Sequence, residues 1–146
     1  MPIPSPQGNL NLLAASVVLA TLGDLTITSQ FLAKEAISIA LGGQASKLLP
    51  TLTGGVQSPE PYQIADVTVH LVKSMSLANL WKLQQELDTN LGSITVIPDA
   101  STLSPYPLEN CVLLGVEPMT FDGNQAGYVI KIQGIYYTNA AMWAAA

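Results

Sequence analysis

The chain has 146 residues, of which 49% are hydrophobic and only 10% are charged, and it carries a formal net charge of −5 without any arginine. This length fits one domain over residues 1–146 with a single core. Arginine is the usual side chain for gripping phosphate, so its absence argues against a nucleic-acid binder, and the single cysteine excludes an internal disulfide and a cysteine-based zinc site.

The scarcity of charge leaves a surface that is largely apolar or merely polar, which is typical of an obligate oligomer. A monomeric domain with an adhesive surface is the alternative. The apolar segment 10–22 is too short to span a bilayer and has no preceding lysine. We therefore expect no membrane insertion and no signal peptide, and a chain that is made and kept in a cytoplasm.

The N-terminal part predicts an extended arm followed by a hairpin. Three prolines in residues 1–9 favour an open conformation that lies on a neighbour. Residues 9–20 could form a helix or a strand, and the Val17–Val18 pair favours a strand. Alternation in Leu25–Thr28 predicts the return strand. Residues 36–41 alternate again, and a helical turn could precede them.

Residues 42–62 form a long, glycine- and proline-rich segment that contains the apolar run 47–52. Loops of this length are usually functional or disordered, and disordered tracts are seldom this apolar. We therefore predict a projecting hairpin that packs on another subunit, with an ordinary surface loop as the alternative. The candidate contacts between subunits, which include one residue of the apolar C-terminal tail, are Lys47, Leu48, Leu49, Leu52, Val56, Tyr62 and Trp143.

The segment 66–100 reads as strand, helix, strand. Residues 66–71 alternate between apolar and polar, and a helix capped by Ser76 is predicted to follow. The apolar positions that fall largely on one face of this helix are Leu77, Leu80, Trp81, Leu87 and Leu91. Asn90 and Gly92 are predicted to end it, and residues 94–97 start a second strand that Pro98 stops.

Two further strands complete the predicted sheet. Residues 108–117 read as one strand, and the Asp-Gly step within 120–127 is a strong hairpin connector. In residues 128–137 the side chains of Tyr128, Ile130 and Ile132 share one face. The predicted fold class is therefore mainly β with one flanking α-helix, an α+β arrangement.

No catalytic or metal-binding constellation is present in the sequence. The one histidine, His70, lies in a strand, and no serine or cysteine occupies a nucleophile motif, so we interpret it as a satisfied polar residue. The paired glycines lack the Gly-Lys step of a phosphate-binding loop, and residues 122–124 lack the ligand spacing of a calcium loop. We expect no enzyme activity, no cofactor and no metal, so function must come from surfaces.

The segment 66–99 resembles the tube proteins of bacteriophage tails and related injection machines. The likeness is carried by the Gln- and Leu-bearing helix pattern of residues 80–87 and the run from Gly92 to Asp99. The hairpin 108–123 and the ending 134–137 also look like that family. The likeness covers roughly the C-terminal 80 residues and is one of pattern, while the first 60 residues match only in architecture.

The resemblance implies two packed antiparallel sheets that form part of an intersubunit β-barrel, six copies in a ring, and rings stacked into a hollow tube. Genomic DNA would pass through this tube without specific binding. Further implied partners are the tail sheath, the tape-measure protein, the baseplate and the terminator, and the implied location is the virion tail, assembled in the bacterial host cytoplasm. Acids that could line the lumen are Asp24, Glu60, Asp66, Asp99 and Glu117.

Three other readings stay open. A tail terminator or tube initiator would share fold and composition but form one ring and stop. A β-sandwich binding module would use the segment 42–62 as its recognition surface and remain monomeric. A small enzyme is disfavoured because the sequence holds no catalytic constellation.

Overall fold

The computed structural model describes residues 10–11, 13–100 and 102–143, so the predicted arm over residues 1–9 lies outside the described residues. The fold is mainly β with one long helix, as the sequence predicts. The strands are β1 (Ser16–Leu19), β2 (Leu32–Leu41), β3 (Ser46–Thr51), β4 (Gly54–Pro59), β5 (Tyr62–Val72), β6 (Asn90–Ile97), β7 (Tyr106–Val116) and β8 (Gly127–Tyr137), and the helices are α1 (Ser76–Leu87) and the short α2 (Ala140–Trp143).

Six of the strands form one antiparallel sheet in the order β1-β6-β7-β8-β5-β2, and this sheet curls into a half-barrel. The pairing of β5 with β8 is regular along both strands, from Tyr62 opposite Tyr137 to Val72 opposite Gly127. The β2–β5, β6–β7 and β7–β8 pairs each contain a register shift. Such bulges bend a strand and increase its twist, which accounts for the curl.

The inner face of the curl holds the core. Alternate side chains of the central strands point into it, and Tyr128, Ile130 and Ile132 are all buried, as the alternation predicts. Helix α1 runs from the end of β5 to the start of β6 and buries Leu77, Ala78 and Trp81 in the same cluster. The one face of the helix and the one face of the sheet therefore share a single core.

Two predicted helix signals are wrong in detail. The residue before the helix is Met75 in an extended conformation, and Ser76 is already helical, so Ser76 is not the cap. The helix ends at Leu87, while Asn90 and Gly92 belong to strand β6. Gly92 does adopt a left-handed φ of +72°, but it serves the bulge between β6 and β7 rather than the helix end.

The N-terminal hairpin is shorter than predicted, and the second sheet differs from the implied one. The predicted return strand Leu25–Thr28 is reduced to Ile27, which exchanges two backbone hydrogen bonds of 2.8 and 2.9 Å with Val17. A 3₁₀ turn at Gly23–Leu25 replaces the rest. The second sheet is the two-stranded β3–β4 hairpin, whose β3 residues are all exposed, so it does not pack on the six-stranded sheet within this chain.

Close packing between β7 and β8 makes Gly134 a sensitive position. A Cβ atom added there would lie 2.5 Å from Sγ of Cys111 and 3.2 Å from Cβ of Leu108. We expect Gly134→Ala to lower the free energy of unfolding by about 1–3 kcal/mol, because overpacking forces neighbours out of position. Gly127→Ala is the matched control, since a Cβ at Gly127 meets nothing within 4 Å. Urea unfolding measures both; equal stability of the two variants would contradict the packing.

Cys111 is fully buried, and burial raises its pKa from 9.0 to about 11. Between pH 9 and about 11 the unfolded thiol ionises while the folded thiol keeps its proton, so the free energy of unfolding falls as the pH rises through this window. Cys111→Ala should remove part of that fall, and a remainder is expected because burial also raises the pKa of Tyr128. Chemical unfolding from pH 8 to 11 measures this; a stability difference between variant and parent that does not change with pH would refute it.

Candidate assembly surfaces

The hairpin β3–β4, residues 46–59, is the most exposed apolar element of the described chain, and we call it the arm. Leu48 is 70% exposed and Leu52, at the turn, is 102% exposed. No residue from 48 to 59 is charged. Because an exposed two-stranded hairpin with apolar side chains is only marginally stable in water by itself, the arm has the character of an association surface.

Both faces of the arm carry apolar side chains. Leu49 lies directly opposite Val56 on one face, and the two are 49% and 54% exposed. On the other face Leu48 lies over Gly55, where an added Cβ would come within 2.9 Å of the leucine side chain. The sequence-predicted contact residues 47, 48, 49, 52 and 56 are therefore brought together on this one projection.

The base of the arm is attached to the sheet by a small hydrogen-bond network. The backbone N–H of Glu60 donates to the carbonyl of Ala45 at 2.9 Å. The side-chain amide of Asn139 donates to the carbonyls of Ala45 and Glu60 at 2.9 and 2.7 Å. An ion pair of 3.8 Å joins Lys47 to Glu60. The hydroxyl of Thr138 also donates to the carbonyl of Glu60 at 2.7 Å. Asn139, which the sequence analysis missed, thus links the two ends of the arm to each other and to the end of β8.

Of the other two predicted contact residues, Tyr62 lies near this base, and the side chain of Trp143 is outside the described part of the chain. Tyr62 begins β5 opposite Tyr137, and the two rings are 49% and 59% exposed. They form an aromatic patch where the arm joins the sheet. Trp143 closes the short helix α2, but its side chain lies outside the described residues.

A second surface is the edge of the sheet formed by β2. In the described part of the chain this ten-residue strand pairs only with β5, so its other edge has no strand partner. At the opposite edge of the sheet, the outer side of β1 is occupied at Val17 by its hydrogen bonds with Ile27. Long edge strands without partners are sites of pairing between chains.

The five predicted lumen acids do not share one surface. Asp66 lies on the face of the sheet that points away from the core, which we call the open face, and accepts a hydrogen bond from Gln133 at 2.9 Å. Glu117 forms a 3.0 Å ion pair with Lys131, which lies two residues before Gln133 on the same strand. The remaining acids, Asp24, Glu60 and Asp99, lie respectively beside α1, at the arm base and after β6.

The described residues show no arrangement typical of a reactive centre. His70 lies on the open face, opposite Val129, and is half-buried. Within residues 10–11, 13–100 and 102–143, no group of three or more His, Cys, Asp or Glu side chains could hold a metal ion. None of the helices in this part of the chain combines the length and the apolar character needed to cross a membrane.

No protein-family model matches the sequence, and no curated protein matches it either. The assignment of a function therefore depends on the surfaces described above.

Asn139 offers a test of how the arm is held. Its φ of +54° is left-handed, a region that glycine also adopts, so Asn139→Gly removes the side-chain amide and keeps the backbone conformation. Loss of two hydrogen bonds should make tryptic cleavage after Lys47 about tenfold faster, equivalent to ~1.4 kcal/mol. Mass spectrometry of timed digests identifies the cut. Asn124→Gly in an exposed turn is the control, and an unchanged rate at Lys47 in Asn139→Gly would show that the amide does not hold the arm.

Proposed function

We propose that this protein is a structural subunit of a phage tail tube, in which copies of the chain form rings that stack into a hollow conduit for DNA. The observation that carries the proposal is a half-barrel whose ten-residue edge strand β2 has no partner on its outer side in the described part of the chain, together with a separate, exposed apolar arm. These two features need different partners. Because both can be satisfied by further copies of the same chain, self-assembly in two directions is the simplest account of them.

Pairing at the β2 edge supports ring formation. An open sheet with an unpartnered edge tends to join further chains, and closing the sheets of several subunits into one barrel removes all such edges. A head-to-tail contact of this kind closes into a ring when its rotation divides a full turn. Ala36 has a left-handed φ of 54° and lies where the register of β2 with β5 shifts, between Leu32 and Ile37. Only the second half of β2 is therefore regular enough to pair with a neighbouring subunit.

The arm supports stacking. Its leucines are too exposed to contribute to the core of their own subunit. Burying them on a neighbouring ring would remove apolar surface from water at about 25 cal/mol per Å². In this proposal the ring is formed through the sheet and the tube through the arm, so the two steps of assembly can be separated by mutation.

The open face suits a surface along which DNA slides. Its charged groups in β5 and β8 are Asp66 and Lys131, and the latter is neutralised by Glu117. Without arginine, and with the one lysine of β5 and β8 paired, this part of the open face has little means of holding phosphate. We assign this face to the lumen, where Asp66 and Glu109, which lies opposite Ile135 of β8, carry charges without an ion-pair partner in the described part of the chain.

The arm can be tested by placing charge on it. Replacing Leu48 and Leu49 with aspartate should leave folded subunits or single rings but abolish tubes, because a buried charge without a partner is costly. The control is Leu87→Asp with Leu103→Asp, since these leucines are 83% and 49% exposed, against 70% and 49% for the arm pair, and lie outside the arm. Negative-stain electron microscopy across a concentration series gives the readout.

The parent protein is expected to form long hollow tubes with a regular axial repeat, and the control variant to do the same. Single rings of the parent at every concentration would favour a tail terminator or tube initiator. Monomers at every concentration would contradict the proposal and favour the binding module. Tubes of normal length from the arm variant would show that the arm is not the stacking element.

A further inference from the structure

A cleft of about 450 Å³ lies at the end of the sheet opposite the arm, and we call it the end cleft. Its wall combines the start of α1, the start of β8 and the connection between β7 and β8. The residues that line it are Lys73, Ala78, Asn79, Lys82, Met119, Phe121 and Tyr128.

The arm and the end cleft lie at the two ends of the same strands. Tyr62 and Tyr137 pair beside the arm base, whereas Val72 and Gly127 pair beside the end cleft. The cleft end is continued by the backbone N–H of Lys73, which donates to the carbonyl of Ala126 at 2.8 Å. Strand β5 separates the two features by roughly 33 Å at 3.3 Å per residue. Copies related by translation along the strands would therefore bring an arm to a cleft.

Apolar side chains form the mouth of the end cleft, and contacts with Lys73 hold this segment in place within the subunit. Phe121 is 79% exposed and Met119 is 38% exposed. The ammonium group of Lys73 lies 5.3 Å from the centroid of the Phe121 ring and donates to the carbonyl of Thr120 at 3.0 Å. Cation–π and hydrogen-bond contacts thus fix the connecting segment against β5. The cleft offers a preformed apolar surface to a ligand.

The distribution of charge on this acidic chain favours contact between surfaces that carry no carboxylate. Two copies, each with a net charge of −5, repel one another, and this repulsion is weakest where the contact surfaces carry no unpaired carboxylate. The end cleft is lined by two lysines and no acid, although Lys82 is paired with Glu86 at 3.8 Å. Three other clefts in the described part of the chain include Glu35 and Asp99, Asp24, or Glu60 and Asp66. The arm from residue 48 to 59 is uncharged.

We propose that the end cleft of one copy receives the tip of the arm of a second copy, with Leu52 inserted against Phe121 and Met119. This inference rests on the proposed function in that it names the partner of the arm. The contact is heterologous, because each copy offers a different surface on each side, so it does not close on itself and repeats along one axis. Rings joined in this way stack without limit until a ring lacks a free arm or a free cleft.

The test is complementation between two defective variants. Leu52→Asp destroys the arm tip and keeps the cleft, whereas Phe121→Asp destroys the cleft and keeps the arm. Both side chains are largely exposed, at 102% and 79%, so both variants should fold, which circular dichroism and thermal unfolding verify. Each variant alone is expected to stop before stacking. An equimolar mixture is expected to form joined pairs of twice the mass, and nothing longer, in sedimentation velocity and electron microscopy.

Failure of the inference is distinct from failure of the proposed function. If Phe121→Asp forms tubes as the parent does while Leu52→Asp does not, the arm stacks on another surface and the inference is overturned, whereas the tube function stands. Absence of joined pairs in the mixture would likewise overturn the inference and leave the proposed tube function standing. If the parent protein itself never assembles, both proposals fall. Leu87→Asp controls for the added charge, because Leu87 is 83% exposed, close to the 79% of Phe121, and lies outside both surfaces.

Discussion

The structure depends on the burial of one face of a curled six-stranded sheet around a single core. Because the sheet curls, side chains from both halves of the sheet pack into one core. Helix α1 covers part of this core with Trp81, which is 0% exposed. Its indole N–H has no hydrogen-bond partner in the described part of the chain, so apolar packing offsets an unpaired donor. In the described part of the chain, the opposite face of the sheet and the outer edge of β2 are left without cover.

The chain separates the parts that fold it from the parts that present surface to other molecules. The core contains no buried polar or charged residue among the described positions, so the stability of the subunit depends on apolar packing and backbone pairing. The ion pairs are confined to the surface, where each contributes ~1 kcal/mol or less. In the described part of the chain, the arm is attached to the body at its base, where Thr138 and Asn139 donate hydrogen bonds to the carbonyl of Glu60. We therefore expect substitutions of exposed arm residues to leave the fold of the subunit intact.

The distribution of carboxylates over the subunit also distinguishes one surface from another. Carboxylates are absent from residues 48–59 of the arm and from the lining of the end cleft, so these two surfaces of the acidic chain carry little negative charge that would repel another copy. The acids that are present are dispersed: Asp66 and Glu117 reach the open face, and Asp24 and Asp99 lie elsewhere. A lumen that repels phosphate would then need few charges from each subunit, since many copies repeat them.

Local pattern in the sequence determined the fold class, the existence of most strands, the helix and the hairpin of the arm, because period-2 and period-3.6 alternation depend only on near neighbours along the chain. The predicted bounds were close for β7 and β8, whereas β2, β5 and β6 each begin four residues earlier than predicted. The arm residues Leu48, Leu49 and Leu52 were identified because they lie within five positions of one another in one hairpin. Only the tertiary structure decided that Gly92 serves a bulge, that Ile27 pairs alone with Val17, and that the second sheet does not pack on the first within the chain. The end cleft was missed for the same reason: Lys73, Phe121 and Tyr128 meet through the β5–β8 pairing, and contacts between residues so far apart in the chain leave no local pattern.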